Sequence, residues 1–135
     1  MFVRHVYADQ WQGGVDVGSG VVDPTWDQIH AGILALDSTS KSLVTIADRE
    51  WSDYFLLVVG AWDGRVLVNS TRNSQIFFSL TDESRPAKIR TLLIAGQQEE
   101  YEDNKLVPIA WAIEAAQHFY ETGERKDTLS WTRDA

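Results

Sequence analysis

Residues 53–71 read DYFLLVVGAWDGRVLVNST. Residues 53–60 are nearly all apolar, the pattern of a strand covered on both faces. Asp63-Gly64 then forms a two-residue hairpin signal, because both central positions of such a turn need a left-handed backbone that Asp and Gly tolerate. RVLVNST (65–71) returns as the partner strand. This stretch decides the fold class. An antiparallel hairpin with no smooth face needs material packed above and below it, so the rest of the chain must supply the covering layers.

Working outward, FVRHVYA (2–8) alternates weakly and reads as a first strand, and SLVTIAD (42–48) alternates as another. SQIFFSL (74–80) follows the hairpin after a turn around Asn73, and TDESRPAK (81–88) is a polar loop. IRTLLIAG (89–96) reads as a further interior strand, and TLSW (128–131) as a short last one. DQWQGGVDVGSGVV (9–22) is a Gly-rich loop or irregular hairpin. Two helices flank the strands. In the first, Asp23 is the expected N-cap and Pro24 the first helical residue, with Trp26, Ile29, Ile33 and Leu36 on one face. In the second, Pro108 starts the helix and Gly123 supplies a left-handed C-cap. Its stripe is Ile109, Ala112, Ile113, Ala116, Phe119 and Tyr120. The expected architecture is α+β: one domain over residues 1–135, with a mostly antiparallel sheet of about five to six strands and two main helices packed on it.

Composition narrows the function classes. Twenty acids against twelve bases give a net charge of −8, which disfavours nucleic acid and anionic membranes as partners and favours a cationic one. No run approaches the ~20 apolar residues of a membrane span, and the first residues lack the apolar core of a signal peptide. With no cysteine, disulfides and thiolate metal sites are excluded. The expected setting is cytoplasmic, and a monomer is expected over a homo-oligomer.

Motifs of catalysis are missing. GGVDVGSG (13–20) fits neither dinucleotide- nor triphosphate-binding spacing. His5, His30 and His118 have no partner at metal-ligand spacing. No serine sits in a nucleophile elbow. The expectation is no cofactor, no metal and no enzyme activity.

One stretch concentrates charge. In IAGQQEEYEDNK (94–105), Glu99, Glu100, Glu102 and Asp103 surround Tyr101. Facing acids across a cleft would suit a hydrolase, but these are neighbours in one loop and lack the pattern of a calcium loop. Two readings remain from the residues alone: a solvated loop or hairpin, and a docking surface in which charge steers a cationic partner while an aromatic anchors it.

The C-terminal third bears on that choice. LLIAGQQEEYEDNKLVPIAWAIEAAQHFYETGERKDTLSW resembles immunity protein family one of bacterial polymorphic toxin systems, through Gly96, Gln97, Ala112, Ala115, Ala116, Phe119, Thr122, Gly123, Glu124 and Trp131. WDQIHAGILALDS and YFLLVVGAWDGRVLVN resemble its first helix and central hairpin, so the likeness covers roughly residues 24–132. Ala95, where the family often has Gly, and Trp62 in the hairpin depart from its pattern. The resemblance implies a non-enzymatic antitoxin that binds the C-terminal domain of a cognate toxin, commonly a nucleic-acid deaminase or nuclease with a basic substrate groove. Under it, Glu99, Glu100, Tyr101, Glu102 and Asp103 are the expected partner contacts, with Trp62 and Asp63 at the hairpin tip as a second group. The rival readings are a small carboxylate-dependent hydrolase and a homo-oligomeric interaction module.

Overall fold

The computed structural model describes residues 1–134. In chain order the elements are β1 (His5–Ala8), β2 (Trp11–Gln12), β3 (Val15–Asp16), β4 (Ser19–Val22), α1 (Trp26–Leu34), β5 (Leu43–Ala47), β6 (Phe55–Trp62), β7 (Arg65–Thr71) and β8 (Phe77–Leu80). They continue with β9 (Ile89–Ile94), β10 (Gln97–Glu102), a 3-10 turn (Asp103–Lys105), β11 (Leu106–Pro108), α2 (Ile109–Thr122) and β12 (Trp131–Arg133). Eight strands form one antiparallel sheet in the order β12-β8-β7-β6-β5-β1-β4, with β11 also paired to β7. The fold is α+β as expected, and the sheet is larger than the predicted five or six strands. The additions are β4, hidden in the Gly-rich segment, and β11, only three residues long. The outer edge of β7 is shared: Leu106–Pro108 pairs with its first half and Phe77–Ser79 with its second.

The opening hairpin is confirmed at the level of backbone geometry. Asp63 and Gly64 have φ of 51° and 75°, the left-handed pair that matches the twist of the flanking strands. Strand β6 is covered on both faces. Leu56 and Val58 lie under the helices with Val66, Val68, Ile29, Ile33 and Phe119. Val59 and Leu57 face the other way, into a second cluster with Leu67 and Leu106. Helix α2 presents Ala112, Ala115 and Ala116, all fully buried. Three small side chains on its inner face let the helix axis lie close to the sheet, while Phe119 and Tyr120 fill the space at its C-terminal end.

Four local expectations change. The N-cap of α1 is Thr25, not Asp23. The Thr25 side chain accepts from the Gln28 N–H at 3.2 Å, and Gln28 accepts from the Thr25 N–H at 2.9 Å, a reciprocal capping box. Asp23 instead adopts φ 50° and pairs with Arg4 at 2.8 Å. Pro108 ends β11, and α2 starts one residue later. The Gly-rich segment holds a small β2–β3 hairpin followed by the edge strand β4. Residues 89–96 are not an interior strand of the sheet: β9 pairs only with β10, in a separate two-stranded ribbon. Its apolar residues alternate, so Leu92 and Ile94 pack on the main sheet while Ile89 and Leu93 are 54% and 55% exposed. Gly123 is the expected C-cap, at φ 76°.

Candidate functional site

Both helices cover one face of the sheet. The opposite face presents Tyr7, Leu43, Thr45, Phe55 and Leu57, none of them fully buried. Cross-strand register aligns Tyr7 with Thr45, Thr45 with Leu57 and Leu57 with Asn69. These residues form a half-apolar floor, and two structures rise at its ends.

At one end the β9–β10 ribbon folds over the sheet. Leu92, Ile94 and Tyr101 pack against Val59, Leu67 and Leu106. Trp62 lies against Tyr101 with ring centroids 5.9 Å apart, and its indole N–H donates to the Leu93 carbonyl at 3.0 Å. Burial, and the nearby charge of Glu99, push the Tyr101 phenol above its ordinary pKa. The ribbon is pinned at its base by Asp103, which accepts from Arg85 Nε and Nη2 at 3.0 and 2.7 Å and from Arg90 Nη1 at 3.0 Å. The Arg85 fork, reinforced by Arg90, holds the Asp103 carboxyl down at about 2 despite its burial.

The strand alternation of β10 divides the predicted contacts. Glu99 and Tyr101 face the sheet and border a depression of about 490 Å³ with Asp9, Trp11, Leu43 and Val59. Glu100 and Glu102 lie on the outer face, across from Thr91 and Ile89. Asp103 is buried and its charge is met by two arginines. Asp63 is exposed at the turn, whereas Trp62 is half-buried under the ribbon. The structure thus brings Trp62 and Tyr101 together as packing partners and separates the acids into inward, outward and anchoring positions. Glu99, Glu100 and Glu102 make no ion pair among the described residues.

Asp9 and Asp16 in the N-terminal quarter hold local structure together. Asp9, 3% exposed, accepts from the backbone N–H groups of Ser42 and Leu43 at 2.7 and 3.0 Å, from the Trp11 indole at 2.7 Å and from the Ser42 hydroxyl. It ties the β2–β3 hairpin to the start of β5. Tyr7 donates to Asp16. That bond, with burial and the charges of Asp16 and Asp9, pushes the Tyr7 phenol up to about 12. Among the described residues no group of three or more His, Asp or Glu is placed to hold a metal ion, and no helix is long and apolar enough to cross a membrane.

At the other end of the floor stands Trp51, 92% exposed. It borders a depression of about 540 Å³ with His5, Tyr7, Thr45, Glu50 and Phe55. Sequence reasoning passed over it, since DREWSD (48–53) reads as a polar connection between two strands. The available signal was the tryptophan itself, the one large apolar side chain in that run.

A partly apolar sheet face, flanked by an acidic ribbon and an exposed aromatic, is equipped to bind a protein surface. Comparison with curated proteins returns no match. Comparison with protein families matches residues 5–133 to the family described as Immunity protein Imm1. That match spans nearly the whole chain and includes every strand of the main sheet and both helices. It agrees with the resemblance carried by the C-terminal third, and the chain belongs to the Imm1 family of immunity proteins.

Proposed function

We propose that this immunity protein neutralises a cognate toxin domain that acts on nucleic acid, a deaminase or a nuclease, by docking its acidic ribbon against the toxin's basic substrate groove. The carrying observation is the outer face of the ribbon. Glu100 and Glu102 project there, exposed Ile89 and Leu93 lie across from Glu102 and Gln98, and neither acid has an ion-pair partner within the described chain. Carboxylates spaced along a strand can stand in for phosphates, while the apolar pair on the neighbouring strand of the ribbon supplies desolvated contact area. The net charge of −8 accelerates encounter with such a partner. Glu99 and Tyr101 line the inner border of the same surface, Asp63 extends it at the β6–β7 turn, and Asp103 and Trp62 hold the ribbon in place. The protein acts as a cytoplasmic monomer and without catalysis: inhibition comes from occupancy.

The test is calorimetry with the C-terminal domain of the protein encoded immediately upstream, at low and high salt. Nanomolar or tighter binding that weakens with salt is expected. The double variant Glu100→Lys, Glu102→Lys should lose at least two orders of magnitude in affinity, since removing one side of a desolvated charge pair costs about 2–5 kcal/mol. Undiminished binding by that variant removes the ribbon as the docking element. Hydrolysis of a substrate by the isolated protein would instead favour a carboxylate-dependent enzyme.

A further inference from the structure

Trp51 is a large apolar side chain with no structural return. It is 92% exposed, and among the described residues it joins neither core cluster and no aromatic pair. Its backbone sits at φ 59°, a left-handed conformation that is a genuine outlier for a bulky residue. Such strain persists where the surroundings enforce it and clusters at functional positions. An exposed tryptophan on a strained tip also carries a solubility cost.

The loop that carries it is net acidic, and the depression beside it is lined by Glu50 together with Arg49 and His5. Residues 48–53 hold three acids and one base. The base, Arg49, already pairs with Asp48 at 3.2 Å. Glu50 has only the His5 imidazole at 3.6 Å, and the second oxygen of Asp48 is buried without a hydrogen-bond partner. Glu50 and Trp51 are neighbours in sequence and line one depression, with Tyr7 and Phe55 in its wall. An aromatic face beside a carboxylate is the arrangement that receives an arginine or lysine side chain, through cation–π attraction and a charge-assisted hydrogen bond.

Trp51 and the ribbon stand on the same helix-free face. One depression includes Thr45 and Ala47 of β5, the other Leu43 of the same strand. From Leu43 to Ala47 is four residue steps, about 13 Å along an extended chain. Both can therefore engage a single partner across the sheet floor.

We propose that Trp51 and Glu50 form a second anchor of the toxin-docking face, which takes a cationic side chain from the same basic toxin domain that the ribbon engages. This rests on the toxin-neutralising reading above. Two poles one floor apart fix the orientation of the partner, which a single acidic strand does not.

The test uses the intact protein and the C-terminal domain encoded immediately upstream. Calorimetry compares the unaltered protein with Trp51→Gly, Glu50→Gln and the Glu100→Lys, Glu102→Lys pair. Trp51→Gly should weaken binding by about 30-fold or more, the scale of a central aromatic anchor. Its melting temperature should equal or exceed that of the unaltered protein, because glycine relieves the positive φ and no packing is lost. Trp51→Phe should recover part of the affinity. Hydrogen exchange should show residues 48–53 protected in the complex. If Trp51→Gly binds within twofold of the unaltered protein, the anchor is overturned; loss of binding by the ribbon variant in the same experiment then leaves the ribbon reading standing. Failure of the unaltered protein to bind at all overturns both. Concentration-dependent self-association abolished by Trp51→Gly assigns the residue to a second copy of this chain and also overturns the proposal.

Discussion

Trp62 and Tyr101 meet across the gap between the β6–β7 turn and the ribbon, their ring centroids 5.9 Å apart, with the Trp62 indole donating to the Leu93 carbonyl. Residues separated by 39 positions therefore act as one unit. The tryptophan at the hairpin tip is less a free contact than the clasp that holds the acidic ribbon on the sheet.

That clasp can be opened without touching the charges. Trp62→Ala removes one aromatic pair, about 0.5–1.5 kcal/mol, and one hydrogen bond, about 1 kcal/mol. Stability should fall by about 2 kcal/mol in urea denaturation. Amide exchange should quicken in residues 89–102 and stay slow in β6 and α2. Uniform acceleration throughout would mean that the ribbon opens only with the whole domain.

Asp103 links ribbon stability to pH. Its folded-state pKa of about 2, held by the hydrogen bonds from Arg85 and Arg90, lies below the unfolded value of about 3.9. The unfolded chain therefore takes up the proton first as pH falls. Its contribution is complete above about pH 5 and fades as pH falls from about 5 through about 2. Asp103→Asn should flatten that acid limb and lower stability at pH 7 by about 1.5–3 kcal/mol, the range for hydrogen bonds to charged groups. An unchanged acid limb would place the titrating group elsewhere.

The start of α1 separates two neighbouring candidates. Thr25→Ala breaks the capping box with Gln28 and should cost about 1 kcal/mol. Asp23→Ala removes an exposed pair with Arg4, and should change stability by less than about 0.5 kcal/mol. Thermal melts of the two variants check the order, and an inverted order would return the cap to Asp23.

The helix C-cap is a backbone position that tolerates no side chain. At Gly123, φ is 76° and an added Cβ would lie 2.6 Å from the Phe2 ring. The Phe2 ring also packs on Phe119 and Tyr54, and the Tyr54 hydroxyl donates to the Gly123 carbonyl at 2.6 Å. Gly123→Ala combines left-handed strain of about 1–2 kcal/mol with overpacking of about 1–3 kcal/mol. A loss of about 2–4 kcal/mol is expected, with a drop in soluble yield. Chemical denaturation reads it directly.

Much of the fold was legible because its signals are local. Asp63-Gly64 specifies a two-residue turn wherever it occurs between apolar runs. The apolar run of β6 demands cover on two faces. The spacing of Ile29 and Ile33, and of Ala112, Ala116 and Phe119, turns each set onto one helix face. Gly123 supplies a conformation that other residues resist. The acidic composition and the family likeness of the C-terminal third were equally plain from the residues.

The tertiary structure decided where each surface residue points and what it meets. β9 reads as an interior strand because its apolar content matches one. Only packing shows that it leaves the main sheet and lays alternate residues on that sheet's free face. The acids around Tyr101 are contiguous in sequence, yet strand alternation sends Glu100 and Glu102 outward and Glu99 inward, and the turn that follows buries Asp103 between arginines from the preceding loop and strand. Trp51 falls in a polar run with no periodicity to place it, and its exposure follows from the loop that displays it. Periodicity encodes which side of an element is apolar. The identity of the surface that meets that side, or leaves it open to a partner, depends on contacts between residues far apart in the chain.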